Sequence, residues 1–379
     1  MAGLYVHFPF CKQACHYCNF HFSTQLKKAP DFPILLEEEL ESRYTFLEAA
    51  PLESIYFGGG SPSLMNPSDI QRLIQKAKEL LGTIPQVEIT IELNPDDVTI
   101  PYLEGLQQAG INRVSLGIQS FWESDLQLMN RAHNREQALT ALSQCKEHFD
   151  NVSVDLIYGM PGSSLRKWQE NLEVLASFEV PHLAAYALTV ESNTALAHQV
   201  KKDQIELLPE EEVAQQYEWL VDDMTKQGFV NYEFSNFGQP GSFSVNNSNY
   251  WKRKPYLGIG PGAHSYDGRL HRNWNVSNNV LYQKGIASGQ LANTSEILTQ
   301  KDVFNETIMT GLRTRWGVNR VAIQEQFGAV YARHLETQVE EHLIQKNLFW
   351  DGDTLLVSRQ ARFLTDGIAA DLFLVNFDS

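Results

Sequence analysis

The sequence predicts an α/β protein: a partial, open, TIM-like βα barrel of about six units, followed by a C-terminal helical, winged-helix-like accessory domain. Three observations support this fold class. Short apolar runs rich in β-branched residues recur along the first half of the chain, and amphipathic helical stretches separate them. Motifs with chemically active side chains fall at or just after the ends of these runs, where βα barrels place their sites.

Six segments are predicted to be barrel strands, because each is a short apolar run of the length typical of buried parallel strands. They span residues 3–7, 54–57, 87–93, 113–118, 152–157 and 182–188. The helical periodicity between them predicts helices over residues 32–50, 67–81 and 135–149.

The chain is predicted to divide into three units. Residues 1–195 are expected to form the barrel core, and residues 196–300 a barrel extension with a Gly- and aromatic-rich segment covering the barrel mouth. Residues 301–379 are expected to form the C-terminal domain, which we interpret as a packing or partner-contact module. Its predicted elements are a helix over 331–346, a hairpin over 349–357 and a helix over 361–372.

Composition excludes several classes of function. The 379 residues carry a formal net charge of −16, which argues against a nucleic-acid partner because phosphate binding relies on clustered Lys and Arg. The sequence contains no run of about 18 apolar residues, and its amino terminus lacks the layout of a signal peptide. A cytoplasmic location is therefore expected. Four cysteines, three of them within eight positions, make a poor disulfide framework and favour metal ligation.

The three clustered cysteines are Cys11, Cys15 and Cys18, in a loop directly after the first predicted strand. Three thiolates can hold a [4Fe–4S] cluster while leaving its fourth iron without a protein ligand. A structural zinc site is the alternative, and its fourth ligand would have to be His16 or the distant Cys145. The pattern favours the cluster, because zinc loops usually supply their ligands as two separated pairs.

A glycine run follows the second predicted strand, in the segment Tyr56-Phe-Gly-Gly-Gly-Ser-Pro62. Such a run lets the backbone approach a ligand closely and present its polar groups. A tight turn between a strand and a helix uses the same glycines, so the run by itself leaves both readings open. The absence of a following Gly-Lys-Ser/Thr disfavours a nucleoside triphosphate site.

Taken together and in this order, the motifs resemble those of the radical SAM superfamily, and within it the coproporphyrinogen III oxidase-like group, over essentially the whole chain. The resemblance implies a [4Fe–4S] cluster on Cys11, Cys15 and Cys18, with S-adenosylmethionine (SAM) chelating the open iron. One electron from the reduced cluster would then cleave the S–C5′ bond of SAM to give a 5′-deoxyadenosyl radical. The cofactors carry that chemistry and the protein positions them.

The resemblance also implies contacts to SAM at two early positions. Tyr5, six residues before the first cysteine, is similar to the aromatic residue that packs beside SAM. Gly59, Gly60 and Ser61 resemble the backbone cradle for the methionine amino group.

Five later residues complete the expected SAM site. Glu92 and Gln119 end predicted strands and resemble polar contacts, while Arg131 is expected to bind the SAM carboxylate through its fixed fork of donors. Asp155 is expected at the ribose hydroxyls and Ala187 beside the adenine. Each carboxylate also has an alternative interpretation, as an ordinary structural salt-bridge partner.

Two branches of this group compete as the functional assignment. The oxidase branch carries a further cysteine two positions past the third, where this chain has Phe20, and a longer amino-terminal segment ahead of the first strand. The heme chaperone branch keeps the cluster and SAM site and passes heme to hemoproteins; Phe20 matches this branch. We therefore expect a heme chaperone without oxidase activity, and a radical SAM enzyme with another substrate remains a third possibility.

The segment around residue 246 resembles a heme-associated His-Asn-x-x-Tyr-Trp motif, but Asn246 replaces the His. An amide is not the usual strong axial nitrogen ligand, so His264 or His271 would have to ligate instead. The alternative is that the aromatic residues simply close the barrel mouth. The expected heme contacts are Asn247, Tyr250, Trp251 and His264.

The expected partners follow from the same resemblance. They are heme, recipient hemoproteins and an electron donor such as a flavodoxin or a ferredoxin. Any membrane contact is expected only through a partner.

Overall fold

A computed structural model describes residues 1–375 of the chain; residues 376–379, the end of the predicted C-terminal domain, lie outside the described part. Its strands form one large mostly parallel sheet and one small sheet. They are β1 (Ala2–Phe8), β2 (Leu52–Gly59), β3 (Thr83–Leu93), β4 (Arg113–Gln119), β5 (Val152–Tyr158), β6 (His182–Ala187), β7 (Val230–Glu233), β8 (Asn236–Gly238), β9 (Tyr256–Ile259), β10 (His264–Tyr266), β11 (His271–Asn275), β12 (Asn293–Ile297), β13 (Val318–Asn319), β14 (Leu348–Asp351) and β15 (Thr354–Val357).

The helices alternate with the strands along the chain or follow them in the C-terminal region. They are α1 (Phe32–Arg43), α2 (Pro67–Leu81), α3 (Ile100–Ala109), α4 (Glu123–Leu128), α5 (Arg135–His148), α6 (Leu165–Ala176), α7 (Ala195–Lys201), α8 (Glu210–Lys226), α9 (Val245–Trp251), α10 (Asn279–Ser288), α11 (Gln300–Leu312), α12 (Arg320–Phe327), α13 (Ala329–Ile344) and α14 (Thr365–Asp371).

The large sheet is an open barrel of parallel strands with antiparallel extensions at both ends. Its order is β12-β11-β10-β9-β1-β2-β3-β4-β5-β6-β8-β7, and neighbours from β9 to β6 run parallel. The six predicted strands correspond to β1–β6, with ends that differ by at most four residues. The predicted open α/β barrel is therefore confirmed.

The predicted helices are found with small differences. Helix α2 has the predicted bounds, begins with Pro67 and ends before Gly82. The predicted helix over 32–50 is shorter, because α1 ends at Arg43 and a 3₁₀ turn, Tyr44–Leu47, follows it. The chain then adopts left-handed backbone at Glu48, which no α-helix continues through.

A seventh parallel strand, β9, was not predicted. It pairs with the free side of β1, and its glycine Gly258 lies so close to β10 that a Cβ there would stand 2.0 Å from the carbonyl oxygen of His264. Gly260 and Gly262 follow in left-handed conformations, with φ of +100° and +77°. Residues 258–262 thus end a strand that needs glycine for close approach and continue as a turn.

A buried carboxylate fixes this extension to the first helix. Glu39 is fully buried and accepts hydrogen bonds from Arg43 (2.6 Å), the Gly260 amide (2.7 Å), Asn275 (2.7 Å) and the Tyr282 hydroxyl (2.6 Å). A buried charge is tolerated only when it is paired and hydrogen-bonded in this way. The contacts bind β9–β11 and α10 onto α1.

The C-terminal region has a hydrophobic core of its own. The small sheet, in the order β13-β15-β14, packs with α11–α14 around Phe304, Leu335 and Leu355. The arrangement of helices with a hairpin agrees with the predicted accessory fold. Among residues 1–375, no helix is both long and apolar enough to cross a membrane.

Candidate functional site

A cavity of about 480 Å³ opens at the C-terminal ends of the barrel strands, as the βα arrangement predicts. The loop that carries the cysteines forms one wall, and the ends of β2–β6 form the floor. Of the predicted site residues, the cavity is lined by Cys11, Cys15, Cys18, Gly59, Gly60, Ser61, Glu92, Gln119, Arg131, Asp155 and Ala187. Residues far apart in sequence are thus brought to one place.

The three cysteines are half-buried free thiols. Burial raises the pKa of Cys11 to about 12 and also raises the pKa of Cys18. These thiols therefore need a nearby positive charge to ionise, and a coordinated metal supplies one, since it deprotonates its thiol ligands. The donor set fits an iron–sulfur cluster.

The same residues do not fit a single metal ion. Within residues 1–375, no group of three His, Cys, Asp or Glu side chains is placed to hold one ion. A zinc site needs four ligands around one ion, whereas each cysteine of a [4Fe–4S] cluster binds a different iron. Cys145, the distant candidate for a fourth ligand, is fully buried on α5 in the main core. His16 directs Nδ1 to the carbonyl oxygen of Leu128, 2.9 Å away.

The glycine run is required by close packing against β1 and the cysteine loop. Gly59 has φ of +112°, and a Cβ there would lie 2.6 Å from Nδ1 of His7. A Cβ on Gly60 would lie 2.7 Å from the carbonyl oxygen of Phe10 and 3.0 Å from Sγ of Cys11. Only glycine allows the backbone to come this near to the cysteine sulfur. The run also makes the turn into a short 3₁₀ helix, Pro62–Leu64.

Two carboxyl groups lie on the cavity floor. Desolvation and the nearby Asp155 raise the pKa of Glu92 to about 7, and desolvation raises the pKa of Asp155 to about 6. Tyr56 donates to Glu92 across 2.9 Å, and Ser115 donates to Asp155 across 2.9 Å. In the described part of the chain neither carboxylate forms a salt bridge. Buried acids without a salt-bridge partner at the floor of a cavity are suited to a cationic ligand with hydroxyl groups.

Arg131 joins the cysteine loop to the cavity floor. Its Nη1 donates to Sγ of Cys15 at 3.3 Å, and its Nη2 donates to Asn94 and to the carbonyl oxygen of Gly117, both at 2.8 Å. The buried Nε has no hydrogen-bond partner in the described structure. Because a buried donor is costly to leave unpaired, Nε is the part of the guanidinium available to a ligand carboxylate.

Gln119 and Tyr5, two further candidates for contacts to SAM, differ in their relation to the cavity: Gln119 lines it and Tyr5 does not. Gln119 ends β4 next to a bulge, with φ of +70°, an unusual conformation for a residue other than glycine. Tyr5 lies outside the cavity lining; its ring stacks on Tyr56 at 6.1 Å and its hydroxyl lies 3.4 Å from Nδ1 of His7. Tyr5 therefore supports the floor through Tyr56, which holds Glu92.

The four expected heme contacts lie outside this cavity. Helix α9 contacts β1 and β2, and its first backbone amides, at Val245 and Asn246, bond to Glu88 in the middle of β3. Asn246 is itself buried, with Oδ1 3.4 Å from the Ser54 hydroxyl.

The aromatic side chains of this set are packed against protein groups. The ring of Tyr250 meets Tyr256 edge-on at 4.7 Å, and the guanidinium of Arg313 lies 5.4 Å from the Trp251 ring. His264 is exposed and stacks on Trp274 at 5.5 Å. The four residues are thus divided between α9 and the sheet extension.

Several cavity residues were not singled out from the sequence. They are Tyr17, Asn94, Ser115 and the exposed Tyr186; exposed Phe20, which the sequence had distinguished only as a marker of the chaperone branch, also lines the cavity. Asn94 and Ser115 lie on or beside predicted strands, and this position could have indicated them as site residues. Nothing in the sequence indicates that the Tyr17 hydroxyl lies 3.4 Å from Nη1 of Arg131.

Family models match two parts of the chain. A model described as the radical SAM superfamily matches residues 5–175, and one described as the HemN C-terminal domain matches residues 298–364. The first match contains the cysteine loop and all the cavity floor up to β5.

Curated relatives match along most of the chain. It is 31% identical over 336 residues to the heme chaperone HemW of Bacillus subtilis, covering 86% of this chain and 87% of the relative. It is also 31% identical over 376 residues to the heme chaperone HemW of Mycobacterium tuberculosis, covering 98% and 94%. The fold is similar to the solved structure of coproporphyrinogen III oxidase (HemN) from Escherichia coli, with a TM-score of 0.83, 21% identity, and coverage of 99% and 90%.

Proposed function

The chain belongs to the radical SAM superfamily and, within it, to the HemW family, and on this premise we propose that it binds heme and transfers it to hemoproteins without acting as a coproporphyrinogen oxidase. The proposal rests on relatives that bear the heme chaperone name and match nearly the whole chain. The single structural observation that carries it is the cavity that gathers the cysteine loop, the two carboxyl groups and Arg131.

Membership of the superfamily implies a [4Fe–4S] cluster and SAM. We propose Cys11, Cys15 and Cys18 as the cluster ligands, which leaves one iron for the methionine end of SAM. When bound, this pair supplies one-electron cleavage of a carbon–sulfur bond.

The chain's own residues would bind and orient SAM. The carboxylates of Glu92 and Asp155 offer acceptors to hydroxyl and amino groups, and Nε of Arg131 offers a charge-assisted bond to a carboxylate. Backbone of Gly59–Ser61 and the end of β6 at Ala187 would enclose the remaining parts of the ligand. Gln119, which also lines the cavity, would offer its side-chain amide to the same ligand.

The absence of oxidase activity is proposed from one position. Phe20, where the oxidase pattern has a further cysteine, is 68% exposed at the cavity mouth. A phenyl ring can neither ligate metal nor exchange protons, so any oxidase step that relies on that thiol is lost. The fold similarity to HemN does not restore it, since fold alone does not carry activity.

The heme site is proposed to include Asn247, Tyr250, Trp251 and His264. What supports it is the pair of large aromatic side chains on α9 and the exposed imidazole of His264 on β10. Recipient hemoproteins, a flavodoxin or ferredoxin as electron donor, a cytoplasmic location and the three-unit domain division are proposed with it.

Heme transfer tests the function directly. Anaerobically reconstituted protein is loaded with one equivalent of heme and mixed with apomyoglobin, and the growth of the holomyoglobin spectrum is compared with that from free heme and from heme–albumin. Saturable heme binding with transfer that depends on this protein supports the chaperone. In parallel, coproporphyrinogen III with SAM and a reductant is expected to give no protoporphyrinogen above a Cys11→Ser control, and robust decarboxylation would instead establish an oxidase.

A further inference from the structure

The cysteine loop, residues 11–18, is hydrogen-bonded to the end of α4, a turn formed by residues 128–131. The backbone N–H of His16 donates to the carbonyl oxygen of Met129 at 3.0 Å, and its Nδ1 donates to that of Leu128 at 2.9 Å. The two cysteines on either side of His16, Cys15 and Cys18, line the cavity. The position of the loop therefore depends on how α4 ends.

Helix α4 ends in a left-handed residue, Asn130, with φ of +55°. The Arg131 amide bonds to the carbonyl oxygen of Leu126 at 2.9 Å and the Asn130 amide to that of Gln127 at 3.0 Å, the pattern of a Schellman motif. A helix that ends this way leaves its last carbonyl groups without helical partners. Those of Leu128 and Met129 are the ones that accept from His16.

The side chain of Asn130 adds a second attachment. Its Nδ2 donates to the carbonyl oxygen of Ala14 at 2.8 Å, and its Oδ1 accepts from Nε2 of Gln13 at 2.8 Å. Gln13 also donates to the Asn130 carbonyl oxygen at 3.0 Å. Asparagine combines tolerance of left-handed backbone with an amide that both donates and accepts. Aspartate lacks the donor, and glycine lacks both groups.

We propose that Asn130 is a positioning residue for the iron–sulfur cluster, holding the cysteine loop in its ligating conformation through Gln13, Ala14 and His16. The inference rests on the proposed ligation of the cluster by Cys11, Cys15 and Cys18. Because every bond in the attachment joins two protein groups, it orders the loop whether or not iron is bound. Asn130 thereby slows cluster loss without contacting the cluster. When one thiolate dissociates from its iron, the ordered loop keeps that cysteine close enough to bind the iron again.

The test uses full-length protein and the variant Asn130→Gly, which keeps the left-handed backbone and removes both side-chain bonds. Lys346→Gly is the matched control: Lys346 is also left-handed, with φ of +60°, and is exposed just after α13, away from the cavity. The readout is the first-order rate at which reconstituted protein loses its charge-transfer absorption in excess EDTA, measured without SAM. Thermal unfolding of the cluster-free variants reports folding.

Asn130→Gly is expected to lose its cluster about tenfold faster than wild type, as the loss of two ordinary hydrogen bonds implies, with Lys346→Gly unchanged. Gln13→Ala also removes two hydrogen bonds, those to Oδ1 and to the carbonyl oxygen of Asn130, so it is expected to lose its cluster at a rate similar to that of Asn130→Gly, and it decides the question if Asn130→Gly does not fold. Equal rates in wild type, Asn130→Gly and Gln13→Ala would overturn the inference. A wild-type protein that takes up no cluster would instead refute the proposed ligation.

Discussion

Arg131 donates a hydrogen bond from Nη1 to Sγ of Cys15 across 3.3 Å, while its Nη2 is fixed on Asn94 and the carbonyl oxygen of Gly117. One side chain therefore connects a proposed cluster ligand to the cavity floor on β3 and β4. A donor to a ligating sulfur stabilises the more negative, reduced state of an iron–sulfur centre. Arg131 is thus expected to raise the reduction potential of the cluster in addition to binding the SAM carboxylate.

Replacing this arginine should separate the two roles. Arg131→Lys retains a positive charge but not the fork, so the hydrogen bonds to Cys15, Asn94 and Gly117 cannot all be kept. The cluster potential is expected to fall by roughly 50 mV, corresponding to one hydrogen bond of about 1 kcal/mol in a one-electron couple. Anaerobic potentiometry followed by electron paramagnetic resonance measures it, and an unchanged potential would contradict the role of the sulfur contact.

The cluster ligands can be tested by composition. Cys11→Ser, Cys15→Ser and Cys18→Ser are each expected to abolish the cluster, while wild type approaches about four iron and four sulfide per chain. Cys145→Ser should keep the cluster, because Cys145 is buried in the core away from the cavity, and should cost only stability. Stoichiometric zinc in the native protein, or cluster loss in Cys145→Ser, would refute this ligand set.

Glu92 predicts a pH dependence of stability. Its pKa is raised in the folded protein to about 7, above its ordinary value of 4.5, so the folded state binds the proton more tightly. Its stabilising contribution is therefore complete below about pH 4.5 and is lost as the pH rises to about 7. Between pH 5 and pH 8 the free energy of unfolding of the cluster-free wild type should therefore fall. In a variant without this carboxyl group, the fall over the same pH range should be smaller by on the order of 2 kcal/mol.

Urea unfolding of Glu92→Gln at the two pH values measures this effect. Glu104→Gln, at an exposed position on α3, is the matched control and should follow wild type at both. If wild type and Glu92→Gln show the same pH dependence, Glu92 is ionised in the folded protein throughout. SAM should bind Glu92→Gln more weakly than wild type mainly above about pH 7, where the carboxyl group of Glu92 is ionised.

Heme titration of four variants tests the proposed heme residues. If His264 supplies the axial nitrogen, His264→Ala should shift the heme absorption spectrum while His271→Ala leaves it unchanged. If stacking dominates, Trp251→Ala should weaken binding by about 2 kcal/mol and His264→Ala should leave the spectrum unchanged. Asn246→His should strain the protein, because residue 246 is buried against Ser54 and its amide bonds to Glu88. Native protein without saturable heme binding would remove the chaperone function.

Local patterns were sufficient to predict the barrel strands and the cysteine loop. An apolar run such as Val152–Tyr158 is recognisable wherever it packs, and Cys11, Cys15 and Cys18 are close in sequence. Strand ends meet at one edge of a parallel sheet, so Glu92 and Asp155 could be expected at a common site. The structure places both on the cavity floor.

Features that depend on distant contacts could not be predicted. Strand β9 is recognisable only from its pairing with β1, and Asn130 only from its contacts with Gln13 and Ala14, more than a hundred residues earlier. Tyr5 was expected beside SAM; it stacks on Tyr56 and is not part of the cavity lining, a contact that its spacing from Cys11 does not determine. Such relationships follow from tertiary packing and leave no periodic signal in the sequence.

The buried carboxylate of Glu39 also constrains the order of biosynthesis. Its partners at Gly260 and Asn275 are more than 220 residues further along the chain, so a nascent chain emerging from the ribosome has the helix long before its counterparts exist. Until they emerge, β1 lacks its neighbour β9 and the wall behind the cysteine loop is unfinished. Contacts this distant in sequence form late. Iron and sulfide should consequently be delivered only after β9–β11 have emerged, and a ribosome-bound nascent chain that ends before β9 should contain none.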